Sequence, residues 1–388
     1  MLNKLSQEDK FLISFSGINI KEVDFDLIKP NLDWDYILTN AYRNGIIPTL
    51  FNNISNFDNK EVIPVHVVSK LKNSYYANLK NNIKLIHEFK FVADVLKKEN
   101  IDIILLKGIY LSSLVYKNIA LRQIGDIDIL LKENQIFTAR KILLDSGYQE
   151  VGIPYTKWML RNSDKIWRHI PELIKDDIVL DIHSHLLHNN PLTKEFTDLV
   201  WKTSLENTVE HQKVLTLNPE LDILYLSYHL GSHLEMNQFQ LRTYQDIAEI
   251  VRLYNKKINW DELINRAFYF KLNQIVGHVF YIINAYMNVS IPEHVLRRFN
   301  TGSQSKYNNS FITLLTCTDN PNNLQQISSF NKIRRKMKTI SNIKGFSNKL
   351  HYIRGYLFPS IEYMSLYYNT TNRLKIFMYY FLRLLRLK

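Results

Sequence analysis

The chain has 388 residues, of which 46% are hydrophobic and 22% are charged. This composition is typical of a soluble globular protein, and the length allows a large core with two or three subdomains. The single cysteine, Cys317, excludes an internal disulfide framework and a cysteine-rich metal site. The N-terminal residues show no secretory signal, and no run approaches the roughly 20 uncharged apolar residues of a membrane-spanning helix. We therefore expect a protein of the reducing cytoplasm without a transmembrane segment.

The formal net charge of +12 belongs to the C-terminal segment alone. Residues 331–388 contain thirteen lysines and arginines and one acid, Glu362, whereas residues 1–330 are electrically neutral. The terminal piece 373–388 also mixes bases with large apolar residues. It could lie on an anionic membrane surface, bind nucleic acid or pack as a last helix, and packing is the favoured alternative. We expect the excess charge to form a basic face that contacts anionic substrates or surfaces.

The first 99 residues are predicted to form a helical region. Asp33 is a typical N-cap for a helix that begins at Trp34. Residues 65–100 carry apolar side chains at helical spacing over many turns, which predicts a long scaffold helix.

Two predicted strands follow, and the second carries paired carboxylates. Ile101 and residues 103–106 form an apolar run that ends at a Lys107-Gly108 turn, as expected for a buried strand followed by a short helix. Asp126 and Asp128 lie two residues apart in the predicted strand 125–131, so their side chains leave the same face, with Cα atoms roughly 6.5–7 Å apart. Like charges at that spacing repel unless a cation or a proton lies between them. The pair therefore indicates either a metal site or two solvated carboxylates on an exposed edge strand.

A further carboxylate, Asp181, lies on a later predicted strand. Residues 133–146 are predicted to form a helix that Gly147 ends, and strands are predicted at 166–170 and 178–183. Asp181 follows an apolar run, and it shares one strand face with Val179 and His183. From its position alone, Asp181 could also be a polar residue on a half-exposed strand.

This order of motifs resembles the nucleotidyltransferase core of the polymerase-β-like superfamily. The closer resemblance is to a bacterial branch of nucleotidyltransferases, some of which are encoded beside peptide natural-product genes. The resemblance extends from about residue 33 to about residue 360. It rests on four motifs: Lys107-Gly108, Arg122, Asp126-Ile127-Asp128 and Gly147-Tyr148. One position departs, because Ile109 stands where the wider superfamily has a second glycine or a serine that could hold a phosphate.

The resemblance implies an α/β (α+β) fold with a small mixed sheet. The nucleotidyltransferase core would span 100–217, between the helical region 1–99 and a helical domain at 218–300. An Asn/Ser-rich linker at 301–330 and the basic helical segment 331–388 would follow. Helices are predicted within the helical domain at 221–234, 239–254, 260–287 and 292–299.

The implied reaction transfers a nucleotidyl group from an NTP donor to a small-molecule or peptide acceptor. Asp126, Asp128 and Asp181 would be catalytic and would hold Mg²⁺ or Mn²⁺. The implied nucleotide-binding residues are Lys107, Gly108 and Arg122.

Several alternatives remain open from the residues themselves. The same metal site could serve a group-transfer enzyme that tailors a peptide natural product with another activated donor, or the chain could be a catalytically silent nucleotide- or partner-binding module. Lys107 could simply end a strand in water, and Arg122 could form a structural ion pair. His183, His185 and His188 suggest zinc, but the sequence offers no complete zinc ligand set around them.

Overall fold

The computed structural model describes residues 5–18, 24–29, 31–57, 62–150, 156, 158, 171–188, 190–235, 240–299, 307, 311, 337, 340–341, 343, 345–368 and 370–385. The predicted strand 166–170 lies outside the described residues. The predicted linker 301–330 also lies outside them, apart from residues 307 and 311.

Helices account for most of the described residues. In chain order they are α1 (Gln7–Ser14), α2 (Trp34–Arg43), α3 (Ile47–Ser55), α4 (Val65–Lys98), α5 (Lys107–Tyr110), α6 (Ile136–Asp145), α7 (Thr193–Thr203), α8 (Pro219–Glu235), α9 (Leu241–Tyr254), α10 (Trp260–Tyr269), α11 (Asn273–Tyr286), α12 (Glu293–Arg298), α13 (Phe346–Leu357), α14 (Ile361–Tyr367) and α15 (Arg373–Leu385). A π-helical turn, Leu111–Val115, directly follows α5.

Seven strands complete the mixed α/β architecture of the described chain. They are β1 (Ile104–Leu106), β2 (Ile127–Leu130), β3 (Gln149–Glu150), β4 (Leu173–Lys175), β5 (Ile178–His183), β6 (Leu205–Val209) and β7 (Gln212–Thr216). This architecture confirms the predicted fold class.

The chain divides into two units. The first unit comprises Met1–Phe91, Ile104–Gly125 and Asp198–Lys332, and the second comprises Val92–Ile103, Asp126–Thr197 and Ile333–Lys388. The predicted core 100–217 contributes residues to both units.

In the second unit the strand order is β3-β4-β5-β2. The β3-β4 and β4-β5 pairs are antiparallel, and the β5-β2 pair is parallel. All four residues of β2 are buried, and β5 has one half-buried residue, Val179. Strands that are buried along almost their whole length are typical of parallel strands that are covered on both faces. Helix α6 ends as predicted before Gly147, which has a positive φ of 94°.

In the first unit β1 pairs with β7 in parallel, with Ile104 opposite Leu215. Strand β7 also pairs antiparallel with β6, and the two residues between them, Glu210 and His211, both have positive φ. Two consecutive residues with positive φ are typical of the tight turn that joins hairpin strands. The sequence analysis did not predict this hairpin.

Local signals placed several helices correctly. Asp33 caps α2 by accepting a hydrogen bond from the Tyr36 backbone N–H at 2.9 Å, and the predicted scaffold helix is α4. The single helix predicted at 260–287 is wrong. The chain forms α10 and α11 there, and Lys271 between them has a φ of +59°, which no continuous right-handed helix allows. Among the described residues, no helix combines the length and the apolar character needed to cross a bilayer.

Candidate metal site and nucleotide-binding turn

Two of the predicted catalytic carboxylates lie side by side in the second unit. Strands β2 and β5 pair in parallel with Asp128 opposite Asp181 and Leu130 opposite His183. Residues opposite each other on neighbouring strands point to the same face of the sheet, so the two carboxylates leave it together. Both are nearly buried, with 4% of Asp128 and 9% of Asp181 exposed.

His183 joins these carboxylates to form a three-residue group. It lies two residues beyond Asp181 on β5, on the same face, and is 1% exposed. Its Nε2 atom lies 2.9 Å from Oδ1 of Asp128 and 3.2 Å from Oδ2 of Asp181. Each residue offers one ligand atom, and the three atoms lie within 4.8 Å of one another. Asp128, Asp181 and His183 are therefore a group that can hold a divalent metal ion.

Asp126 is not a member of this group. It is exposed and lies one residue ahead of the first residue of β2, Ile127. The Asp-x-Asp pattern predicts two carboxylates on one strand face, but the regular strand includes the second aspartate alone.

The electrostatics of the group favour an ion of positive charge. Burial of two carboxylates side by side costs free energy, because each loses hydration and repels the other. A neutral imidazole carries one N–H, so Nε2 of His183 can donate a single hydrogen bond even though it faces two carboxylate oxygens. A divalent cation compensates both carboxylates at once and accepts the imidazole nitrogen as a further ligand.

The predicted nucleotide-binding turn belongs to the first unit. Lys107 begins α5 directly after β1, and its φ of +44° is unusual for a residue other than glycine. Its Nζ atom lies 5.7 Å from the centre of the Tyr225 ring, within the range of a cation–π contact. Gly108 follows and is buried. Lys107 therefore adopts a strained backbone conformation at the place where the strand turns into the helix.

The guanidinium of Arg122 forms a buried ion pair with Asp246 of α9. Nε donates to Oδ1 and Nη2 donates to Oδ2, both at 2.8 Å. The hydroxyl of Tyr116 donates to the same Oδ1 atom at 2.9 Å. This bidentate contact uses the same geometry by which an arginine would bind a phosphate. Of the two roles that the sequence left open for Arg122, the structure therefore displays the ion pair.

A second buried acid, Asp222 of α8, contacts the end of α5. Tyr110, at the end of α5, is buried and forms a hydrogen bond with the Asp222 carboxyl. Burial raises the pKa of Asp222 to about 7, and the neighbouring negative charge of Asp246 adds to the rise, while the hydrogen bond and Arg122 oppose it. Its Oδ2 atom has no hydrogen-bond partner among the described residues.

Helix α4 holds the loop at residues 119–124 through asparagine side chains. The amide of Asn82 donates to the carbonyls of Ile119 and Arg122, at 2.5 and 2.7 Å. Asn78 and Asn81, one turn or less away, donate to carbonyls of the same loop at 2.9 and 3.0 Å. The loop that follows the turn is thus fixed by side chains from α4 and α9.

The remaining histidines do not form a further group of metal ligands within the described part of the chain. His185 contacts the Ser184 hydroxyl through Nδ1 at 3.1 Å. His229 and His233 face each other on α8, with Nε2 atoms 3.2 Å apart. Two imidazoles alone fall short of the four ligands that a structural zinc site requires.

Sequence reasoning missed His183 as a partner of the carboxylates. The available signal was its position two residues beyond Asp181, on the same strand face. No local pattern indicated Asp246 or Asp222 as partners of the turn, because both lie on helices far along the chain from it.

The buried carboxylates of Asp128 and Asp181 on neighbouring strands agree in part with the arrangement that the resemblance implied, which also included Asp126. The class of protein follows from a family comparison. Residues 30–288 match the model of a family described as uncharacterised nucleotidyltransferase. The chain belongs to this family, and the predicted superfamily and enzyme class are confirmed.

Further comparisons add little. A comparison with the curated proteins finds no match. Among solved structures, the chain is similar to the solution structure of the antibiotic-resistance factor ANT(2'')-Ia. The identity is 13%, the match covers 50% of this chain and 95% of the other, and the TM-score is 0.34. That likeness is too weak to bear on the fold or the function.

Proposed function

We propose that this protein transfers a nucleotidyl group from an NTP to a hydroxyl or phosphate of an acceptor and releases pyrophosphate. The observation that carries the proposal is the convergence of Asp128, Asp181 and His183 in a chain that belongs to a nucleotidyltransferase family. The proposed cofactor is Mg²⁺ or Mn²⁺. The proposed acceptor is a small molecule or a peptide, because some members of the branch that the sequence resembles are encoded beside peptide natural-product genes.

The donor set fits a divalent ion. Ligands that bind one metal ion at about 2.1 Å and at right angles to each other are roughly 3.0 Å apart. The two distances from Nε2 of His183 to the carboxylate oxygens, 2.9 and 3.2 Å, match that spacing. Carboxylate oxygens suit Mg²⁺ and Mn²⁺, and an imidazole suits the transition metals of the series. We also propose Asp126 as a metal ligand, and this proposal rests only on the Asp-x-Asp pattern of the sequence.

When bound, the metal ion would neutralise charge on the triphosphate and lower the pKa of an acceptor hydroxyl. Asp128 and Asp181 hold the ligand oxygens on one face of two paired strands, so their positions are fixed by the backbone hydrogen bonds of the sheet. The carboxylate of Asp181 is the proposed acceptor of the proton from the attacking hydroxyl. Asp181 is the more exposed of the two carboxylates, at 9% against 4% for Asp128.

Lys107 and Gly108 are the proposed nucleotide-binding residues of the turn. The ammonium of Lys107 would act as a point charge on a phosphate, and Gly108 offers a backbone N–H without a Cβ atom beside it. For Arg122 we propose that it supports the loop through Asp246, since its guanidinium already donates two hydrogen bonds to that carboxylate.

A pyrophosphate-release assay tests the reaction. The purified protein is incubated with each NTP, with Mg²⁺ or Mn²⁺, and with a panel of hydroxyl, phosphate and peptide acceptors. Asp128→Asn and Asp181→Asn should each lower turnover at least about 100-fold. Asp177→Asn is the matched control, because it removes the same charge from an exposed position in the turn before β5 and lies outside the group. Full activity in both site variants would overturn the proposal.

Metal binding has its own readout, which does not depend on finding the acceptor. Titration of Mn²⁺ followed by electron paramagnetic resonance should show one tight site in the wild type. Asp128→Asn and Asp181→Asn should weaken it about 10- to 100-fold, and Asp177→Asn should not. Pulsed measurements on bound Mn²⁺ should detect a ¹⁴N coupling that His183→Gln removes and that the control His185→Gln retains. Persistence of the ¹⁴N coupling in His183→Gln would exclude His183 as a ligand.

A further inference from the structure

Helix α15 presents an apolar stripe to solvent. Leu374, Phe377 and Phe381 are 82%, 79% and 66% exposed, and Met378 and Leu382 are exposed beside them. These five residues lie at positions i, i+3, i+4, i+7 and i+8, which is the spacing of one continuous face of an α-helix. A face of this kind normally faces a protein core, and here it faces outward.

The opposite face of α15 anchors the helix on the second unit. Ile376 is 3% exposed, and the Tyr379 ring stacks on the Tyr368 ring with the centres 4.0 Å apart. The hydroxyl of Tyr380 donates to the carbonyl of Pro359, next to α14. Arg383 lies over the rings of Tyr356 and Tyr363, at 5.6 and 5.5 Å. The helix is therefore held in one orientation, and the outward direction of the stripe is a property of the packing.

Positive charge borders this stripe. Arg373 and Lys375, both exposed, directly precede and follow Leu374 on α15, and they lie at the two sides of the apolar face. The whole segment 331–388 contains thirteen bases and one acid. An apolar face with basic flanks is the chemistry of helices that lie in the interface of an anionic membrane, with the apolar side chains among the acyl chains and the bases at the headgroups.

We propose that α15 is a membrane-surface anchor that binds anionic lipid bilayers through its apolar stripe. The anchor comprises Leu374, Phe377, Met378, Phe381 and Leu382, with Arg373 and Lys375 at the headgroups. This inference is independent of the proposed reaction, because it rests on a surface that contains none of the predicted site residues.

Charge and exposure favour a lipid surface over two other occupants. Nucleic acid would contact the bases but would leave the apolar stripe exposed to water, since phosphate contacts need no apolar surface. A second copy of this chain would bring two strongly basic segments together without acids to compensate them. An anionic bilayer satisfies the bases and the apolar face at the same time.

Co-sedimentation with vesicles of equal parts phosphatidylserine and phosphatidylcholine tests the proposal on the full chain. Phe377→Ser and Phe381→Ser should each weaken binding about tenfold, because each removes a large apolar side chain from the buried face. Phe137→Ser is the matched control, since Phe137 is an exposed phenylalanine on α6, and it should leave binding unchanged. Arg373→Gln and Lys375→Gln should each weaken binding about fivefold, and more strongly at low salt.

Insertion is measured separately. Phe377→Trp keeps an apolar ring, so binding persists, and its fluorescence should be quenched by brominated lipid, whereas that of Phe137→Trp should not. Equal vesicle affinity of Phe377→Ser and wild type would overturn the proposal. It would also be overturned if the chain bound polyuridine more tightly than vesicles with no effect of Phe377→Ser. A dimer in sedimentation velocity that Phe377→Ser dissociates would assign the stripe to a second copy instead.

Discussion

The ion pair of Arg122 and Asp246 gives the sharpest prediction, which concerns the stability of the loop that contains Arg122. The side chains are 7% and 2% exposed, and the pair makes two charge-assisted hydrogen bonds of 2.8 Å. Asp246→Ala removes both bonds and also the acceptor of the Tyr116 hydroxyl, and it leaves a buried guanidinium without its counter-charge. Removal of one partner of a buried pair typically lowers the free energy of unfolding by about 3–5 kcal/mol.

The double variant Arg122→Met/Asp246→Leu should be less damaging than this single change. Replacement of a buried ion pair by apolar residues of similar volume is often neutral or stabilising. The hydroxyl of Tyr116 still loses its acceptor, which costs about 1–3 kcal/mol. We therefore expect a loss of about 1–3 kcal/mol for the double variant against about 3–5 kcal/mol for Asp246→Ala.

Urea unfolding followed by circular dichroism measures these values, and the two single variants complete the double-mutant cycle. NTP affinity, measured by calorimetric titration with Mg²⁺, separates the two roles of Arg122. A supporting role predicts that the double variant recovers most of the affinity lost in Asp246→Ala. Additive losses of stability, together with equal losses of NTP affinity in Arg122→Met and the double variant, would refute the reasoning and make Arg122 a direct phosphate ligand.

Three further predictions concern the same unit. Lys107→Gly should raise the free energy of unfolding by about 1 kcal/mol because it relieves a positive φ, yet it should weaken NTP binding as much as Lys107→Ala does, since both lose the ammonium. Burial raises the pKa of Asp222 to about 7, so the folded state holds this proton more tightly than the unfolded chain does. The stability that the bound proton contributes is complete below about pH 4 and is lost as the pH rises through 7. Asp222→Asn should therefore gain stability relative to wild type between pH 5 and pH 8, and a constant difference in urea unfolding would contradict this. Asn82→Ala should cost about 2–4 kcal/mol because two carbonyls lose their donor, whereas the exposed Asn81→Ala should cost about 1 kcal/mol, and equal thermal shifts in the two variants would count against the proposed anchoring.

The local signals in the sequence were sufficient for several elements. Asp33 before Trp34 specified the start of α2, because a carboxylate satisfies an N–H at the helix end whatever the tertiary context. The apolar run before Asp181 specified β5 residue for residue, since β-branched and apolar side chains favour a covered strand. The pattern also predicted the strand that carries Asp128, although the regular strand leaves Asp126 outside it.

Other features were settled by contacts between residues far apart in the chain. Asp128 and His183 are 55 residues apart, and their hydrogen bond depends on the parallel register of β2 and β5. A shift of that register by one residue would turn one of the carboxylates to the other face of the sheet. Arg122 and Asp246 are 124 residues apart, so no local pattern could distinguish a phosphate-binding arginine from a paired one.

The amino-acid sequence by itself determined the class of enzyme, the strands that carry the candidate carboxylates and the basic character of the C-terminal segment. Tertiary structure alone decided that His183 completes the candidate metal group and that Arg122 lies in a buried ion pair. It also decided which face of α15 is exposed, since periodicity shows that a helix has an apolar side but not what covers it. The physical reason is that local propensity and capping act over a few residues, whereas register, ion pairing and helix orientation depend on the free energy of contacts between distant segments.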